Sequence, residues 1–160
     1  MSNDWGDNMK ELYEINGSTL AVIALPGNRS RIYEEEREFD LNISTTSIID
    51  HSCRFFGSSY VGRFEGTKNL LGINYKAPII VEESRELIFF PTSSPRFEDC
   101  SWISISHLKE YQRSGKYSKV LFYNGLELPL YLSYGSLQNQ ALRATRLQVV
   151  LRSRKLNKCL

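Results

Sequence analysis

The sequence predicts a single α+β domain, β-rich, with antiparallel hairpins, a short central helix and a longer C-terminal helix. Three observations predict it. Short runs of apolar and β-branched residues end at Pro, Gly or Asn-Gly, as strands in hairpins do. Two segments carry apolar residues at helical spacing instead. The 160 residues suffice for one buried core, whereas halves of that length would each be marginal. A hydrophobic share of 41% and a charged share of 24% are ordinary globular values and exclude a disordered or fibrous chain.

In chain order, residues 1–12 form a polar lead-in, 13–151 the folded domain and 152–160 a basic tail. STLAVIAL over 18–25 reads as a strand closed by a turn at Pro26-Gly27. An irregular hairpin follows, with Ile32, Phe39, Leu41 and Ile43 on one side. Thr45 or Thr46 caps a helix over 47–56, whose Ile48, Ile49, Cys53 and Phe56 share a face and which Gly57 stops. Gly57, Gly62 and Gly66 predict a flexible loop presenting Tyr60, Arg63 and Lys68. Strands are expected at LLGINY, IIVEE, ELIFF and WISISHL, with a Pro- and Ser-rich loop over 91–99. KVLFY-NG-LELPLYL is a hairpin signature in which Asn124 and Gly125 both take positive φ. Ser136 opens an amphipathic helix near 135–151, with Leu137, Ala141, Ala144 and Leu147 in its stripe and Arg143 and Arg146 beside it.

The net charge of +2 is unevenly spread: net −5 over 1–40, +1 over 41–142 and +6 over 143–160, where no acid occurs. A basic terminus suits an anionic partner, and serves equally as a solvated tail. The three cysteines, an odd and sparse set, read as reduced thiols, with Cys53 a small buried hydrophobe. No apolar run reaches the roughly 20 residues that span a bilayer, and the acidic start is not a secretory signal, so a cytoplasmic location is expected.

Catalytic grammar is missing. Asp50, His51, Ser52 and Cys53 are consecutive and cannot converge on one helix face, and a zinc site lacks ligands. The glycines do not match a phosphate loop. No catalytic residue, cofactor or metal is therefore expected. What clusters is Arg54, Arg63, Lys68 and Lys76, interleaved with Phe55, Phe56, Tyr60 and Tyr75 and with hydroxyls and amides. Such a mixture contacts phosphates, yet the pattern alone fits a half-solvated loop as well as a nucleic-acid surface.

The segment IIDHSCRFFGSSYVGRFEGT (48–67) resembles the hallmark segment of the ComK competence transcription factor family. The resemblance continues through KAPII (76–80), FFPT (89–92), C-x-W-I-S (100–104) and LP(x)3SY(x)SL(x)2Q (128–140), and covers about 13–147. It implies a non-enzymatic activator of competence genes that binds AT-rich double-stranded DNA largely through the minor groove and assembles into a dimer or larger homo-oligomer. A nucleoid-associated location goes with it. It points first to Arg54 and Arg63 as DNA-contacting residues, then to Lys68, Lys76, Arg143 and Arg146 as phosphate contacts. For Arg54 the competing role is an i, i+4 pair with Asp50.

The likeness departs at the C-terminus, where VVLRSRKLNKCL does not resemble the family's continuation. That continuation is linked to an adaptor that delivers the protein for proteolysis, so the resemblance does not carry this partner over. The alternative expectation is a shortened family member that modulates a full-length relative by protein interaction.

Overall fold

In the computed structural model, residues 13–158 are described; the polar lead-in over 1–12 and Cys159 lie outside them. The elements run β1 (Thr19–Leu25), β2 (Arg29–Glu34), β3 (Glu38–Leu41), α1 (Thr45–Phe55), α2 (Tyr60–Leu71), β4 (Ile79–Glu82), β5 (Leu87–Pro91), β6 (Trp102–Ser104), β7 (Leu108–Ser114), β8 (Tyr117–Phe122), β9 (Glu127–Leu130) and α3 (Tyr134–Lys158). Every strand pairing is antiparallel, in a six-stranded sheet of order β3-β2-β1-β6-β5-β4 and a three-stranded sheet of order β7-β8-β9. The α+β architecture expected from the sequence is the one observed.

Strand alternation explains why the large sheet is central. In β5, Leu87 and Phe89 face one side while Ile88 and Phe90 face the other, and all four are buried. The first side meets Ile48, Ile49 and Cys53 of α1, with Tyr60 and Phe64 of α2 packed against the same cluster. The second meets Leu137, Ala141, Ala144, Leu147 and Leu151 of α3 together with Val120, Phe122, Leu128 and Leu130 of the small sheet. Each large aliphatic or aromatic side chain among them contributes about 1.5–3 kcal/mol on leaving water, so the two apolar faces dictate the layering. The expected hairpin forms: Ile32 pairs with Phe39, and both lie with Leu41 and Ile43 in the first cluster.

Helix α1 starts earlier than expected. Ser44 is the cap, its hydroxyl accepting from the Ser47 N–H at 3.3 Å. Thr45 and Thr46 are instead in the first turn, and their hydroxyls donate to the Cys100 and Pro95 carbonyls. Gly57, at φ 90°, ends the helix as predicted: Ser58 N–H reaches the Cys53 carbonyl and Gly57 N–H the Arg54 carbonyl.

The flexible loop expected after Gly57 is helix α2, and the strand expected at LLGINY is its last turn and the connection that follows. Each glycine inside a helix costs about 1 kcal/mol relative to Ala. Packing outweighs that cost, because Tyr60, Phe64, Thr67 and Leu71 recur at i, i+4, i+7 and i+11 and face the interior. Ser59 caps the start, accepting from the Gly62 N–H at 3.0 Å, and Gly72 at φ 69° ends it. Ser59→Ala should therefore lower stability by about 1 kcal/mol in urea unfolding. An unchanged midpoint would mean that α2 is held by packing alone.

Two further boundaries differ. In the β8–β9 hairpin only Gly125 has positive φ (93°), not Asn124. Gly125 N–H donates to the Phe122 carbonyl and Phe122 N–H to the Leu126 carbonyl, which makes a three-residue loop with one left-handed position. The Asn124 side chain caps that loop by accepting from the Leu126 N–H. Helix α3 is capped by Ser133 rather than opened by Ser136, and it continues beyond 151 to Lys158. Arg152 there grips the Glu86 carboxylate at 2.7 and 2.6 Å.

Candidate nucleic-acid interface

The six cations singled out in the sequence do not form one patch. Arg54, 66% exposed, donates to Asp50 at 2.8 Å, so the i, i+4 pair forms. The same carboxylate accepts from the Tyr60 N–H at 2.9 Å and thereby ties α1 to the start of α2. Burial raises the Asp50 pKa, but the Arg54 guanidinium and the Tyr60 amide outweigh it and hold the group below the usual carboxylate range. Arg63 borders a second region with Phe56, Glu82, Glu83, Ser84 and Lys155. Its Nε is buried without a hydrogen-bond partner.

The other side of α2 is different. Tyr60, Phe64, Asn74, Tyr75, Lys76, Thr46, Ser94, Pro95 and Arg96 surround an open concavity of about 550 Å³. Lys68, four residues after Phe64, is exposed on α2. Arg143 reaches the rim from α3: its guanidinium donates to the Tyr75 carbonyl at 3.2 Å and lies 5.0 Å from the Tyr75 ring centroid. Lys68, Lys76, Arg96 and Arg143 have no carboxylate partner among the described residues. Arg146 is exposed on α3, three residues past Arg143, and likewise unpaired there.

One buried residue positions this rim. The Gln140 side-chain amide donates to the Lys76 carbonyl at 2.9 Å and to the Pro91 carbonyl at 2.8 Å, and its oxygen accepts from Arg143. Lys76 itself has φ 48°, a left-handed conformation that costs a residue other than glycine about 1–3 kcal/mol unless its surroundings impose it. Gln140 supplies that imposition. The concavity thus joins aromatic faces, hydroxyls and unpaired cations, a set that can hold phosphates and stack on sugars or bases.

Arg96, Thr46 and Pro95 were missed by the sequence reading. Arg96 lies in the Pro- and Ser-rich loop, where only its proximity in space to Lys76, some twenty residues away in sequence, marks it. Cys53 is buried as expected, and Cys100 is buried too: desolvation pushes the Cys53 thiol up to about 12 and the Cys100 thiol up to about 11. Both are protonated at neutral pH, the opposite of an activated nucleophile. His107 bonds the Gly17 carbonyl at 2.7 Å. Among the described residues no His, Cys, Asp and Glu group has the makings of a metal site, and no helix is long and apolar enough to cross a membrane.

Comparison with known proteins agrees with the resemblance carried by the motifs. The family model described as "ComK protein" matches residues 10–156. The chain is 40% identical over 148 residues to the competence transcription factor of Bacillus subtilis (strain 168), an alignment covering 90% of this chain and 77% of that protein. No solved structure matches. With its hallmark segment folded into α1 and α2 around the interior edge of the concavity, this chain belongs to the ComK family.

Proposed function

We propose that this chain is a non-enzymatic, DNA-binding transcription activator of competence genes, acting in the cytoplasm at the nucleoid as a homo-oligomer and reading AT-rich boxes mainly through the minor groove. One observation carries the reading: Lys76, Arg96 and Arg143, free of carboxylates among the described residues, edge a concavity walled by Tyr60, Phe64 and Tyr75. Membership of a family whose Bacillus subtilis representative is named a competence transcription factor supports it. The minor groove, about 6 Å wide, admits single side chains rather than a helix, and its narrow A-tract form attracts arginine. Arg96 and Arg143 are the arginines at the rim, Lys68, Lys76 and Arg146 serve phosphates, and Arg54 contributes less because Asp50 engages it, while Arg63 borders a separate region beside Glu82 and Glu83.

Electrophoretic shifts with an AT-box duplex and a GC-rich duplex of equal length test the proposal. Binding to the AT duplex is expected to survive salt that dissociates the other. Equal affinities that vanish together would leave only non-specific binding.

A second reading, a module that modulates a longer relative, draws on Leu142, Val149 and Leu156, which recur every seven residues on the outer side of α3 and are all more than half exposed. Ultracentrifugation with and without the relative separates the two.

A further inference from the structure

We propose that the tip of the β7–β8 hairpin is a second DNA-contacting surface, placing Arg113 and Lys116 on phosphates. This rests on the DNA-binding reading above and adds a site that neither the hallmark segment nor the basic C-terminus includes.

The hairpin closes through two residues, Gly115 and Lys116, with Gly115 at φ 61° as a tight turn of this handedness requires. From Arg113 to Tyr117 every residue is exposed. Lys109, Arg113 and Lys116 have no carboxylate partner among the described residues. The nearby acids are occupied: Glu110 accepts from the Gln112 side chain at 2.7 Å, and Glu127 pairs with Lys119 at 3.6 Å. Two tyrosines stand at the same end. Tyr131, 87% exposed, meets Tyr117 edge to face at 5.5 Å, and Lys116 lies 5.0 Å from the Tyr117 ring. Exposed rings flanked by cations without carboxylate partners form a surface suited to sugar and phosphate.

The hairpin is also held in a fixed place relative to the concavity. Arg113 lies 4.6 Å from the ring of Tyr134, and Tyr111 packs on that ring at 5.6 Å, so the hairpin is braced on the first residue of α3. Gln140 and Arg143 of that helix hold the rim of the concavity. From Tyr134 to Arg143 the helix rises about 14 Å, the length of about four phosphate steps along one strand. Nine residues are two and a half turns, so Tyr134 and Arg143 leave opposite sides of α3, and a duplex touching both surfaces must pass around the helix rather than lie along it. Strand addition by a second protein chain is the competing use of β7, whose outer edge is unpaired among the described residues. Lys109 and Arg113 along that strand disfavour it, as charges on edge strands do.

The test uses the full chain, fluorescence anisotropy with the AT-box duplex, and a salt series. Arg113→Gln with Lys116→Gln should weaken binding by about 10- to 100-fold at physiological salt and lower the log–log salt slope by about two. Because Arg113 also packs on Tyr134, Lys116→Gln alone, which leaves that packing intact, should show the same direction with an unchanged melting temperature. Parent-like affinity and slope in both variants, while the parent binds the AT duplex, overturn the hairpin surface and spare the DNA-binding reading. A parent that binds neither an AT-rich nor a GC-rich duplex overturns both. Altered sedimentation with unaltered affinity assigns the hairpin to contacts between copies and also overturns the proposal.

Discussion

Gln140→Leu is expected to destabilise the chain by about 2–4 kcal/mol and to weaken DNA binding beyond what that loss explains, because one buried amide serves two carbonyls that nothing else replaces. Leucine fills similar volume, so the change removes hydrogen bonds while leaving little cavity. The Pro91 carbonyl lies at the end of β5 and the Lys76 carbonyl in the turn before β4. Left unpaired, the buried Pro91 acceptor carries a desolvation cost of about 1–3 kcal/mol, and the half-buried Lys76 acceptor a smaller one. Lys76 then loses the contact that holds its positive-φ backbone, and the turn relaxes toward ordinary φ. Arg143 loses its bond to the Gln140 oxygen and keeps only Tyr75. Urea unfolding at constant m-value measures the first effect. Anisotropy well below the unfolding midpoint measures the second. A midpoint shift under about 0.5 kcal/mol, the range of ordinary surface substitutions, would remove Gln140 from this role.

How far this arrangement could be read from sequence depends on which interactions are local. The apolar runs of β1, β4, β5 and β8 were legible because burial on a sheet demands β-branched and aromatic residues in short stretches. Helix α1 was legible to within three residues of its start, since its stripe, Ile48, Ile49 and Cys53, is continuous. Helix α2 was not, because Gly62 and Gly66 speak locally for a loop, while the packing of Tyr60, Phe64 and Leu71 against distant strands speaks for a helix. Propensity loses that contest whenever an apolar stripe finds a core. The Ser59 cap and the Gly72 stop were the signals available, and the glycines between them masked both.

The candidate site divides the same way. Lys76 and Arg143 stood out by charge, but their union through Tyr75 and Gln140 spans more than sixty residues of sequence and leaves no local trace. Arg54 stood out equally and is drawn into an ion pair that ties two helices. A cation within a family segment thus served internal structure, while Arg96, in a loop without any motif, stands on the rim.

That division yields the second large effect. Neutralising Lys68, Lys76 and Arg96 together, each to Gln, should lower affinity for an AT-box duplex by about 100- to 1,000-fold at physiological salt, since each lost phosphate contact removes nearly one unit from the log–log salt slope. The slope should fall by two to three, and stability should hardly change, because none of the three side chains has a carboxylate partner among the described residues. The pattern among single variants is more telling than the total. Lys68→Gln and Lys76→Gln act on phosphates, so AT and GC duplexes should weaken in parallel. Arg96→Gln, if its guanidinium enters the minor groove, should weaken the AT duplex more and compress the ratio between the two. Arg54→Gln is the control in the other direction. It loses an exposed i, i+4 pair worth about 0.3–0.5 kcal/mol and should leave affinity within about twofold, because its charge is already compensated by Asp50. Should Arg54→Gln instead match the triple variant, the interface lies along α1 on the hallmark segment, and the concavity is a feature of the scaffold.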